Sequence, residues 1–152
     1  MAVHGVSRST RDVDLLAVDP ECLSPLTWDA LGREGIAVSI RRGDAEDPLA
    51  GAVRLTGPGQ ATLDIIVGRS AWQARVLERA SPRTIEGVSV PVVTAADLVL
   101  LKLYAGGPQD AWDVEQLLAG PTRAALVAEV DAALATLPED SRRLWARIVG
   151  SR

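Results

Sequence analysis

The feature that most constrains this chain is a change in hydrophobic period along its length. Up to about residue 93 the apolar residues fall in short strand-like runs separated by turn signals, with helical spacing only in between. Beyond that point they recur at helical spacing alone. Asp12-Val-Asp-Leu-Leu-Ala-Val18 reads as a strand ended by Asp19-Pro20, and Ile36 to Arg41 alternates as a half-buried strand should. Val53 to Thr56 and Thr62 to Val67 flank Gly57-Pro-Gly59, which predicts a hairpin, and Val88 to Val93 predicts a further short strand. Between them, helices are expected from about Ser24 to Arg33 and from Ser70 to Ala80, with a loop over 43–51. Thr94 reads as the cap of a helix running to Tyr104 and closed by Gly106-Gly107. Helices over 108–118, 122–137 and 138–149 follow, the last two with amphipathic spacing. The expectation is an α+β fold: a mixed sheet with flanking helices and a helical C-terminal cap.

At 152 residues the chain suits one domain, with a sheet-containing core over 1–93 and a helical part over 94–152. No stretch approaches the apolar length of a membrane span, and the charged N-terminus has no signal-peptide core. Cys22 stands alone, which excludes an internal disulfide and a multi-cysteine zinc site and favours a cytoplasmic location. The net charge of −4 argues against a general nucleic-acid coat protein. Among 16 basic residues Lys102 is the only lysine, so a compact ammonium is expected to matter there.

Two groups of residues could carry chemistry. Arg8-Ser-Thr-Arg-Asp-Val-Asp14 is a polar loop feeding a strand that opens with two aspartates. Residues i and i+2 on a strand share a face roughly 7 Å apart, and carboxylates so placed can share a pair of divalent cations about 4 Å apart. Asp64 interrupts the otherwise apolar Leu63-Asp-Ile-Ile-Val67. A charge there must be solvated, paired or bound to metal, because burying it alone is costly. If its strand lies beside the first, three carboxylates converge. The plainer alternatives are acids facing water at a strand start and on an edge strand.

Lys102 lies in Asp97-Leu-Val-Leu-Leu-Lys-Leu-Tyr104, a helix apolar nearly all round, so it must snorkel or meet an anion. That anion is either a nucleotide triphosphate or an internal partner, Asp97 or Asp110. Asp97 suits the first turn of a helix capped by Thr94. Asp110 and Asp113 share a helix face and either cap that helix or face Lys102. His4 has no companion ligand of its kind, and Cys22 reads as a core thiol.

These pieces in this order resemble the AbiEii-type nucleotidyltransferases, a branch of the DNA polymerase β-like nucleotidyltransferase superfamily. The matching segments are His4-Gly-Val-Ser-Arg-Ser-Thr-Arg-Asp-Val-Asp-Leu15, Leu63 to Val67, and Asp97 through Gly106-Gly-Pro-Gln-Asp-Ala-Trp-Asp-Val114, the last being the most specific. The resemblance implies one nucleotidyltransferase-like domain that uses Mg²⁺ or Mn²⁺ to move an NMP group from an NTP to a hydroxyl on RNA (such as tRNA) or protein. It also implies a place as the toxin of a toxin–antitoxin pair, with an antitoxin protein as partner. It assigns metal binding to Asp12, Asp14 and Asp64, phosphate contact to Lys102, and nucleotide binding to Arg8 and Asp110, with Asp113 in support. The family usually places a strand and a Gly-Gly or Gly-Ser pair ahead of the His-Gly segment, where backbone amides position the triphosphate. The sequence opens at Met1 without that pair, so by this comparison it is N-terminally short. Relatives often carry an Arg near position 107, where this chain has Gly. The alternative expectation is a catalytically degenerate member that acts by binding a partner protein.

Overall fold

The computed structural model describes residues 12–85 and 87–150. Within them the chain up to Glu78 and the chain from Arg79 onward form two compact units. The first holds a four-stranded mixed sheet: β1 (Asp12–Ala17), β2 (Ala37–Arg42), β3 (Leu49–Thr56) and β4 (Thr62–Gly68), in the order β1-β4-β3-β2. β1 pairs with β4 in parallel, and β4-β3 and β3-β2 are antiparallel. Leu63, Ile65 and Val67 of β4, Val53 and Leu55 of β3, and Val38 and Ile40 of β2 lie in register on one face and build the core, with Leu23 buried among them. Asp64, one residue out of phase, therefore belongs to the opposite face.

The expected helix from Ser24 to Arg33 is instead a 3₁₀ turn, Pro25–Trp28, followed by the short α1 (Asp29–Arg33), and another 3₁₀ turn, Pro20–Leu23, lies ahead of it. Ser24 precedes Pro25, and its ψ of 127° is the extended conformation that proline imposes on its predecessor. The turns are fastened by side chains: the Trp28 indole donates to the Cys22 carbonyl at 2.8 Å. β3 begins at Leu49, inside the expected loop, because the Gly43 amide already bonds the Ala50 carbonyl. The hairpin about Gly57-Pro58-Gly59 forms as expected. α2 (Ala71–Arg79) starts where Gln73 Oε1 accepts from the Arg69 and Ser70 amides at 3.0 and 2.9 Å.

The second unit opens with a hairpin of β5 (Ser81–Ile85) and β6 (Val88–Val92). β5 has no counterpart among the elements expected from the sequence, and it contains Pro82. In a two-stranded sheet both strands are edges, so Pro82 and its register partner Pro91 can turn their donor-less nitrogens outward. Helices α3 (Ala95–Ala105), α4 (Pro108–Leu117), α5 (Arg123–Ala133) and α6 (Glu139–Gly150) complete it. The Thr94 hydroxyl caps α3 by accepting from the Asp97 amide, and Gly106 ends it at φ 69°, a left-handed conformation that suits glycine. α5 stops at Ala133, short of the expected Leu137, and a 3₁₀ turn over Leu134–Thr136 leads into Pro138. Leu126 and Val130 of α5 are buried, as are Trp145 and Ile148 of α6. The fold is α+β, and among the described residues no helix is long and apolar enough to cross a membrane.

Candidate functional site

Each unit contains one of the two groups that the sequence singled out. In the first unit, parallel pairing puts Asp14 directly across from Asp64, about 4.8 Å away along the sheet. Asp12 pairs with Thr62 in the same register. Asp14 is exposed. Asp64 is engaged on its other side: Arg54, its register partner on β3, donates from Nε and Nη2 to its two carboxylate oxygens, each at 2.7 Å. The resulting row across the sheet is Asp14, Asp64, Arg54, Ser39. The Arg54 hydrogen bonds hold the Asp64 carboxyl below its usual range, and the Arg54 charge adds to this; partial burial opposes both. Asp64 is thus ionised at neutral pH and already carries a cation. Arg8 and His4 lie outside the described residues.

The second group is built on α3 and α4. Lys102 reaches Asp110 Oδ1 and Asp113 Oδ2, each at 2.9 Å, and Asp113 has no exposed side-chain surface. Burial by itself lowers the Lys102 pKa. Hydrogen bonds to Asp110 and Asp113, together with their charges, more than offset this and leave it raised. Asp110 also accepts from the Gly107 amide at 3.3 Å, so the helix-capping and lysine-facing readings of that residue both hold. Asp97 is not the lysine's partner. It sits buried on the first turn of α3, bound by the Thr94 hydroxyl and by the guanidinium of Arg79.

Among the described residues no three His, Cys, Asp or Glu side chains are grouped to hold a metal. The described acids beside each other on the sheet are Asp14 and Asp64. Arg54 and Arg79 were missed in the sequence. Arg54 had a signal: with the hairpin centred on Gly59, Arg54 falls opposite Asp64. No protein-family profile matches the chain, and no curated protein matches it either.

Proposed function

We propose that this protein is a metal-dependent nucleotidyltransferase that moves an NMP group from an NTP to a hydroxyl on RNA or protein. What carries the reading is the in-register parallel pairing of β1 with β4, which sets Asp14 beside Asp64. The donor chemistry fits: both are hard carboxylate oxygens on a sheet face away from the apolar core, the ligands Mg²⁺ prefers. When bound, the ion would neutralise the phosphates and favour in-line displacement. Asp12 and Asp14 would hold it, and Asp64, ionised through its contact with Arg54, would orient the attacking hydroxyl. The resemblance gives Lys102 a phosphate contact, and its ammonium is held by Asp110 and Asp113 within the second unit. It likewise gives Arg8 and Asp110 nucleotide contact. A cytoplasmic toxin of a toxin–antitoxin pair is the setting this activity would suit.

Incubation with labelled NTPs and candidate RNAs tests the proposal. Wild type is expected to label an acceptor, and Asp14→Asn to lose about two orders of magnitude in rate. Equal labelling by both proteins would remove the assignment.

One observation favours a second reading, a non-catalytic protein that acts by binding a partner. In each cluster an acid already meets a cation of the protein itself, Asp64 with Arg54 and Asp110 and Asp113 with Lys102. Calorimetry with Mg²⁺ and ATP separates the two: heat of nucleotide binding supports the transferase, and none at millimolar nucleotide supports the binding role.

A further inference from the structure

We propose that the outer edge of β2 docks an extended segment of a partner protein, one that alternates apolar and acidic residues and adds to the sheet as a further strand. This goes beyond the transferase reading and does not rest on it. β2 ends the order β1-β4-β3-β2, so one side of its backbone faces away from the sheet. The Gly43 amide bonds the Ala50 carbonyl, and the β2–β3 register carried on by one residue makes these two direct partners. Bonded and non-bonded pairs alternate along an antiparallel ladder. Ala37, Ser39 and Arg41 therefore bond β3, while Val38, Ile40 and Arg42 turn their backbone groups outward. Among the described residues no other backbone group bonds them there.

Val38 and Ile40 also line a groove of about 730 Å³, together with Ile36, Trp28, Arg33 and Asp29. The four apolar side chains in it are only half-buried. A strand added to β2 takes up the free backbone groups, and its side chains alternate between the two faces. Those on the Val38 and Ile40 face meet the apolar groove. The others share the face of Ser39 and Arg41, and Arg41 is exposed with no hydrogen bond or ion pair among the described residues. Opposite charges across neighbouring strands stabilise a sheet, so an acid belongs there. A second copy fits less well. Its own β2 is Ala-Val-Ser-Ile-Arg-Arg, which offers Arg41 no acid in an antiparallel pair and sets it against its own kind in a parallel one.

The test uses a fluorescein-labelled peptide, about as long as β2, that alternates valine with glutamate. Its companions are a copy with lysine for glutamate, a copy N-methylated at the valines and a copy N-methylated at the glutamates. Fluorescence polarisation reads binding, and amide hydrogen exchange followed by NMR reads its place. The glutamate peptide is expected to bind about fivefold more tightly than the lysine peptide, and Arg41→Glu to reverse that order. One methylated copy should lose binding and the other keep it, because only one edge of the peptide meets β2. Exchange at the Val38, Ile40 and Arg42 amides should slow on binding. No binding of the glutamate peptide at millimolar concentration overturns the proposal. So do equal affinities for the two charges, methylated copies that behave alike, and protection that falls elsewhere. Sedimentation without peptide tests the other occupant: a dimer whose Val38 and Ile40 amides are already protected assigns the edge to a second copy and overturns the partner.

Discussion

At Lys102 a single ammonium faces two carboxylates, one of them with no exposed side-chain surface. Removing it takes the ammonium away from the buried Asp113 carboxylate, a loss of about 3 kcal/mol. Lys102→Ala is therefore expected to unfold at markedly lower denaturant concentration than wild type, and Asp113→Asn in the same background should recover part of the loss. Equal midpoints for Lys102→Ala and wild type would show that the cluster does not bear on folding. The Arg54–Asp64 pair behaves differently, because its cation is exposed. The Asp64 carboxyl is lowered from 3.8 in the folded protein. Its stabilisation is thus present above that value and is lost as pH falls through the lower, folded one. Exposure of the arginine keeps it to about 1 kcal/mol or less. Wild type should be slightly more stable than Arg54→Gln at neutral pH, and the difference should vanish once acid has protonated the Asp64 carboxyl in the folded protein. A difference that persisted in acid would mean that the pair does not set it.

Among the elements, α2 depends on a glycine that precedes it. A Cβ at Gly68 would lie 2.5 Å from Gln73 Oε1, the atom that accepts the Arg69 and Ser70 amides. Gln73 is buried, so it has little room to yield, and Gly68→Ala should dislodge the cap at a cost of about 1–2 kcal/mol. In a Gln73→Ala background the same change should cost much less, since the collision is gone. Urea unfolding of the four proteins measures the coupling, and strict additivity would refute it. The helix start at Ser70 was legible, but the dependence on Gly68 was not, because it arises only when the strand end folds back on the Gln73 side chain. The same contrast holds at Pro25 and Pro82. Local rules read the first segment as one helix and left the second without a strand, whereas the folded chain uses 3₁₀ turns and an edge hairpin.

For the molecule as a whole, the two candidate clusters belong to different units, one anchored on a sheet and the other on a helix pair. They should respond differently to substitution. Asp14 is exposed, so Asp14→Asn should slow NMP transfer by about two orders of magnitude yet leave the unfolding free energy within about 0.5 kcal/mol of wild type. Lys102→Ala should reduce both. Loss of stability in Asp14→Asn equal to that in Lys102→Ala would contradict this division.

The amino-acid order by itself determined the α+β class, the strands that carry Asp14 and Asp64, the Thr94 cap, the Gly106 stop and the oddness of a lone lysine in an apolar helix. These follow from period, turn chemistry and the cost of buried charge, all of which act over a few residues. Which carboxylates Lys102 meets was narrowed by sequence to a few neighbours and decided by the way α4 packs back on α3. That Asp64 is held by Arg54 was decided by register in the sheet, because strand pairing is a long-range choice and a slip of one residue would turn that arginine to the other face.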